Sequence, residues 1–359
     1  MAEYARAWVA LLLRRQWEVG ICATNELTAT LPQEVHRFLI NGTRTTGARL
    51  YRALSIASLL NLPPASSLVR KISAHISAFN PAAVHFVDRS AFTAYLLDAL
   101  STKFHGISFI HTLHDPQWHE ERISKIGGWL KHRDYLWSAS LDQRPNVFMH
   151  VHDRRLLRET IFQRIENVLE MPHPLPSRVA SRMRREIATT DVTYPIRLGF
   201  LGRIEPYKGL DVFCDAVTQS LYSGRIKPTQ IEIVIAGRGH IDEIRWNKLG
   251  CVVEFHNDFI LDEQFHQLMA DLDVLVLPYI SATQSGVGMM GAAYGIPIVA
   301  SRVGALDQLV ADGTTGILVT PGDAEDLGYA LAKLIESPHN LQRLWQHTRA
   351  RVFATLQER

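Results

Sequence analysis

Arg203 and Lys208 stand five residues apart in "LGFLGRIEPYKGLDVF" (198–213), between an apolar run and a helical pattern that starts near Gly209. Two cations and several free amides at the carboxyl end of a strand form a phosphate clamp. The same spacing also suits a surface turn with two solvated cations. Further on, "IVIAGRGH" (233–240) ends another apolar run with Gly237 and Gly239. Glycines there let a ligand approach the backbone, or simply make a tight turn. A third stretch, "SATQSGVGMMGAAYG" (281–295), is a strand-to-helix junction without any Asp, Glu, Lys, Arg or His. Such junctions handle anions through their free amides. Thr283, Gln284 or Ser285 can cap the helix or bond an anion, with the amides of Ser285, Gly286 and Val287 pointing outward. The plainer alternative is a Ser-capped core helix. A helix end contributes roughly 0.3–1 kcal/mol towards a nearby charge, and a hydrogen bond from a cation roughly 1.5–3 kcal/mol. Any anion held here therefore depends first on Arg203 and Lys208.

A different chemistry is suggested by "FIHTLHDPQWHEE" (109–121), which gathers His111, His114, Asp115 and His119 at the end of a strand. The HxH and HExxH spacings of metal sites are missing, so a polar wall or an acid–base group fits better than a metal. His85 and His173 also fall at strand ends and read as structural.

These residues need a scaffold, and the hydrophobic periodicity supplies one. Strands are expected at 17–24, 82–87, 106–112, 146–151 and 166–171, with helices near 4–16, 47–60, 66–79, 91–103 and 153–163. After "PHPLPS" (172–177) breaks the pattern, a second series places strands at 195–201, 230–236, 251–255, 273–278, 296–300 and 316–319. Helices near 209–222, 262–271, 285–294, 305–311 and 323–337 alternate with them. Alternation of this kind implies right-handed βαβ units and buried parallel sheets. The expectation is an α/β chain of two doubly wound Rossmann-like domains facing a central cleft. The first spans 1–175, a linker 176–190, and the second 191–340, with a last helix in 341–359 packing back on the first domain. Ligands of such sheets bind outside the carboxyl ends of the strands, where all three motifs lie.

The chain has 359 residues, 47% hydrophobic and 21% charged, the balance of a soluble globular protein. Cys22, Cys214 and Cys251 are widely spaced and make no metal motif, which suggests a reducing compartment. No apolar run reaches the roughly 20 residues needed to span a bilayer, and the first residues do not read as a signal peptide. A cytoplasmic location is expected. The net charge of +2 hides an asymmetry: residues 1–175 hold 20 Lys and Arg against 15 Asp and Glu, whereas 191–359 hold 14 against 20. The basic half could face an anionic membrane or a phosphorylated acceptor, or the charge could be unevenly solvated. Nucleic acid is not expected, since no Lys/Arg stripe interleaved with aromatics occurs.

Taken in order, "FLGRIEPYKGLDVF", "IVIAGRG", "ADLDVLVLPY" and "YGIPIVASRVGALDQLVADGTTGILVTPGD" resemble the family 4 glycosyltransferases, retaining enzymes of GT-B fold that use nucleotide sugars. The resemblance is strong over 197–338 and extends weakly through "NPAAVHFV", "FIHTLHDP" and "EMPHP". It implies that Arg203 and Lys208, beside Gly202, hold the donor diphosphate. His114 would lie near the donor sugar and acceptor, and Gly237 and Gly239 beside the nucleotide, with Phe259 and Ile260 bordering the base. Two departures stand out. The family's paired glutamates, eight residues apart, fall on Ala282 and Met290, and Thr283, Gln284 and Ser285 offer neutral hydrogen bonds instead, as in a TQSG variant. The usual first strand and its Gly-rich loop are not seen, and the chain reads as starting at the helix that follows.

The resemblance implies transfer of a sugar to an acceptor hydroxyl with retention, the leaving phosphate taking the acceptor's proton. Neither a metal nor a cofactor is then required, and the nucleotide sugar is a substrate. The acceptor is expected to be a saccharide or a lipid-linked carrier, with peripheral contact to an anionic membrane. An alternative is a non-catalytic GT-B binding or scaffolding subunit, which would explain the lost glutamates but has no need of a diphosphate clamp. A GT-B epimerase would want more acid–base carboxylates.

Overall fold

The computed structural model describes residues 2–23, 32–39, 63–87, 93–113, 132, 136–141, 144–152, 154–158, 160–171 and 195–357. The chain divides into two compact units, Met1–Pro174 and Leu175–Arg359.

In the first unit, α1 (Ala2–Arg14) leads to β1 (Gly20–Ala23) and β2 (His36–Leu39), which pair in parallel as a two-stranded sheet. Then come α2 (Pro63–Phe79), β3 (Ala83–Phe86), α3 (Thr93–Lys103), β4 (Ser108–Thr112), β5 (Val147–Val151) and β6 (Val168–Glu170). Strands β3-β4-β5-β6 form one parallel sheet in that order. Helix α3 packs because Ala94, Leu97, Leu100 and Ser101 recur at helical spacing and are all buried. Before β5, the Asn146 amide donates to the carbonyls of Ser101, Phe104 and Ile107 at 3.1–3.3 Å. It thereby ties the end of α3 and the turn into β4 to the sheet.

Two local expectations differ from the structure. Strand β2 was not anticipated, because four residues beginning "HR" carry too little periodicity. The helix expected at 153–163 is instead a 3-10 turn, Arg154–Leu157, followed by further turns. There Thr160 Oγ1 donates to Leu157 O (2.8 Å) and accepts from Phe162 N (3.1 Å), so the side chain replaces helical backbone bonds. The helix expected at 47–60 and the linker expected at 176–190 lie outside the described residues.

The second unit runs β7 (Ile196–Leu201), α4 (Leu210–Tyr222), β8 (Ile231–Ala236), α5 (Glu243–Asn247), β9 (Val252–His256), α6 (Asp262–Ala270) and β10 (Val274–Leu277). It continues with α7 (Gly286–Ala293), β11 (Ile298–Ser301), α8 (Leu306–Leu309), β12 (Gly316–Val319), α9 (Ala324–Glu336) and α10 (Pro338–Gln357). Its parallel sheet has the order β9-β8-β7-β10-β11-β12. Counted from the first strand of the unit, that is the 3-2-1-4-5-6 order of dinucleotide-binding sheets. Every residue of β10 and β11 is buried, which is why they read as unbroken apolar runs rather than alternating ones. Leu341, Leu344 and Trp345 of α10 belong to the core of this unit, and Thr348 Oγ1 donates to Thr315 O at 3.2 Å.

Candidate functional site

The strand order reverses between β7 and β10, and their carboxyl ends meet at a crossover where open α/β sheets bind ligands. Two loops converge there. The chain leaving β7 passes through Gly202, Arg203 and a 3-10 turn, Pro206–Lys208, before α4. The chain leaving β10 passes through Pro278 and Tyr279 to Ser285, which opens α7.

The first loop is held by its neighbour. Gly202 N donates to Ala236 O (2.8 Å) and Ile204 N to Arg238 O (3.0 Å), extending the β7–β8 ladder beyond the strands. Gly237, with φ of +150°, permits this contact. A Cβ on it would lie 1.9 Å from Gly202 O. Gly239 is bridged to Ile204 in the same way. At the other end of the loop, Gly209 has φ of +69°, ends the 3-10 turn and begins α4. A Cβ at Gly209 would stand 1.9 Å from Pro278 O, so glycine is what lets the two crossover loops touch.

Between these anchors lies Lys208. Burial pushes its ammonium down from 10.5 to about 8; the nearby Arg203 guanidinium adds to the fall and Glu205 opposes it. Arg203 is exposed, and its Nη1 lies 3.8 Å from Glu205 Oε1, a contact of little strength in water. The Lys208 ammonium sits 5.6 Å from the centroid of the Tyr279 ring. A Cβ placed on Gly202 would be 3.4 Å from Lys208 Nζ and 2.8 Å from Val287 Cγ2, so Lys208 and Val287 both close on this glycine.

The α7 end of the site is polar without being charged. Ser285 caps the helix, its Oγ accepting from Gly288 N at 3.0 Å. The next residue, Gly286, is exposed, and a Cβ there would meet nothing within 4 Å. Thr283 is buried, and its carbonyl accepts from Ala305 N at 2.9 Å. Gln284 presents a buried Nε2 with no hydrogen-bond partner among the described residues, a donor that an added acceptor would satisfy.

Gly202, Arg203, Lys208, Gly237, Gly239, Ser285, Gly286 and Val287 thus lie around the β7, β8 and β10 ends, with Thr283 and Gln284 just before α7. Ile260 lies on the loop between β9 and α6, partly buried against the core of the unit; its neighbour Phe259 is exposed. His114 lies outside the described residues, as do Asp115, His119 and His173. Of the other histidines, His85 Nε2 is 2.7 Å from Thr112 Oγ1 in the first unit. Two contributors were not singled out in the sequence. Glu205 modulates the cation pair, and Tyr279 lies between Lys208 and Ser285. A tyrosine ending an apolar strand reads as core, so only the pairing of its hydroxyl reveals more. Met290, one of the two glutamate positions, is buried in the core. Among the described residues, no group of three His, Cys, Asp or Glu is placed to hold a metal ion, and no helix is long and apolar enough to cross a membrane.

Comparison with known proteins bears on the same region. Residues 195–337 match the family model described as glycosyl transferases group 1. An MMP α-(1→4)-mannosyltransferase from Mycolicibacterium hassiacum is 40% identical over 91 residues, which is 25% of this chain and 22% of that protein. A phosphatidyl-myo-inositol mannosyltransferase from Mycobacterium leprae is 34% identical over 153 residues, covering 40% of this chain and 39% of its own. The chain thus matches well under half the length of these relatives. Among solved structures, sucrose-phosphate synthase from Thermosynechococcus elongatus aligns over 98% of this chain and 87% of its own, with a TM-score of 0.68 at 17% identity. HepE from Anabaena in complex with UDP aligns over 98% and 91%, with a TM-score of 0.61 at 18% identity. At these identities the structural likeness speaks for fold alone. The chain is built on the GT-B fold of two Rossmann-like α/β domains, and the group 1 glycosyl transferase model matches within its second unit.

Proposed function

We propose that this protein is a retaining glycosyltransferase that moves a hexose from a nucleotide diphosphate sugar to an acceptor hydroxyl. The observation that carries the reading is the convergence at the β7–β10 crossover. Arg203 and the desolvated Lys208 come from the β7 loop beside Gly202, and the uncharged amino end of α7 closes on the same glycine through Val287. These groups would neutralise a diphosphate, and more so as it departs with the bond electrons. The absence of acidic residues from 281–295 fits, because the ligand supplies the negative charge. In this reading the departing phosphate oxygen accepts the acceptor's proton, so the protein's part is to orient and to stabilise charge. His114 would orient the sugar. Names of relatives support a nucleotide-sugar donor and a lipid-linked or saccharide acceptor: one is a phosphatidyl-myo-inositol mannosyltransferase, and HepE was solved with UDP-glucose. The setting proposed is bacterial polysaccharide or glycolipid assembly at the cytoplasmic face of a membrane, the basic first half making peripheral contact.

One observation favours a second reading, a non-catalytic binding subunit. Neither Ala282 nor the buried Met290 can supply the carboxylates of the family pattern. A thermal-unfolding panel of nucleoside diphosphates and their sugars, followed by the anomeric configuration of any product, separates the two. Saturation at about 100 times Kd should stabilise the protein by roughly 2.7 kcal/mol, and Arg203→Ala should abolish the gain. Stabilisation without transfer to any acceptor would favour the binding subunit; no stabilisation by any nucleotide would refute both.

A further inference from the structure

We propose that Tyr279 is a positioning residue of the crossover site, its hydroxyl making Ser285 an obligatory donor to an anion and its ring seating the Lys208 ammonium. The inference rests on the diphosphate reading above and adds to it the residue that orients the two sides of the clamp.

Hydrogen-bond accounting carries it. Tyr279 is 2% exposed, and the partner of its hydroxyl is Ser285 Oγ at 3.2 Å. Ser285 Oγ also accepts from Gly288 N at 3.0 Å. A serine oxygen has two lone pairs and one proton. If Tyr279 donates, both lone pairs of Ser285 are engaged, by Tyr279 O–H and Gly288 N–H. The Ser285 proton then has no protein acceptor among the described residues and must point elsewhere. If Ser285 donated instead, the proton left over would be that of the phenol, on the more deeply buried of the two residues. Burying an unmet donor carries a penalty, so the surplus falls on Ser285. Burial pushes the phenol up to about 12, so it stays protonated at neutral pH with a proton to place. The surplus O–H thus sits at the amino end of an eight-residue helix, beside the exposed Gly286. An anion is the ligand that uses it.

The ring completes the arrangement. Its face lies under the Lys208 ammonium at 5.6 Å, and it packs edge-to-face with Tyr207, centroids 6.5 Å apart. One side chain therefore touches the β7 loop through its ring and the α7 cap through its hydroxyl. A phenylalanine would fill the same core without the second contact.

The test uses inorganic pyrophosphate and UDP as probes, titrated calorimetrically into wild-type, Tyr279→Phe, Ser285→Ala and the double variant, with thermal unfolding of each alongside. Tyr279→Phe keeps the ring and should weaken pyrophosphate binding roughly tenfold, leave the pH midpoint set by Lys208 in place, and cause no further loss in the Ser285→Ala background. Equal losses in both backgrounds, or an affinity within twofold of wild type, would overturn the inference. So would wild-type protein that binds neither probe. Wild-type protein that binds pyrophosphate with this coupling but transfers no sugar would instead sink the proposed function and leave Tyr279 in its role.

Discussion

Replacing Lys208 by methionine should make the ligand-free protein more stable and the site useless. The fall of the Lys208 ammonium from 10.5 to about 8 measures what the folded site charges for keeping it protonated. Each pKa unit is worth about 1.4 kcal/mol, so the full penalty is roughly 3 kcal/mol. The contact with the Tyr279 ring at 5.6 Å returns about 1 kcal/mol that methionine would forfeit in part. A net gain of about 2 kcal/mol is expected for Lys208→Met at pH 7. The pH dependence has a definite sign. Below about 8 the lysine is protonated in both folded and unfolded chains, and the wild type bears the whole penalty. Between about 8 and 10.5 the unfolded chain still binds the proton and the folded chain does not, so wild-type stability rises with pH. The advantage of the variant should therefore shrink across that window and vanish above it. Urea unfolding of both proteins at pH 7 and pH 10, without ligand, reads this directly. A variant less stable than wild type at pH 7, with the same deficit at pH 10, would refute the claim that Lys208 is a desolvated cation awaiting an anion.

The same ammonium predicts how nucleotide binding responds to pH. A bound diphosphate restores the proton, so affinity for UDP should fall up to about tenfold per pH unit above about 8, with proton uptake visible as a buffer-dependent calorimetric heat. A flat profile between pH 7 and 9.5 would exclude Lys208 from the contact. Gly209→Ala should destabilise the second unit by more than about 2 kcal/mol, since φ of +69° and Pro278 O at 1.9 Å leave no room for a methyl group. Circular dichroism on heating would show it, and an unchanged midpoint would contradict the packing of the two loops.

Much of the second unit was legible in its sequence because its strands are buried on both faces. "LGFL" and "LDVLVLPY" are continuous apolar runs ending in turn residues, so their carboxyl ends, and hence Arg203 and Ser285, are placed by the sequence itself. Strand β2 escaped because "HRFL" offers neither a run nor an alternation, and the 3-10 turn at Arg154–Leu157 read as helix because its apolar spacing hides the competing hydroxyl of Thr160. Tyr279 escaped for another reason. Its ring is ordinary core, and only the three-dimensional pairing with Ser285 and Lys208 distinguishes it. Helix α5 is five residues long with Trp246 as its buried residue, too short for a periodic signal.

The central claim is that the β7–β10 crossover holds the diphosphate of a nucleotide. An amide proton–nitrogen correlation spectrum, titrated with UDP, GDP and ADP in turn, tests it most directly. The account predicts that at least one of them moves the amides of Gly202, Arg203, Gly286 and Val287 together, with one midpoint. Saturable shifts confined to other parts of the chain, leaving those four amides in place, would contradict it.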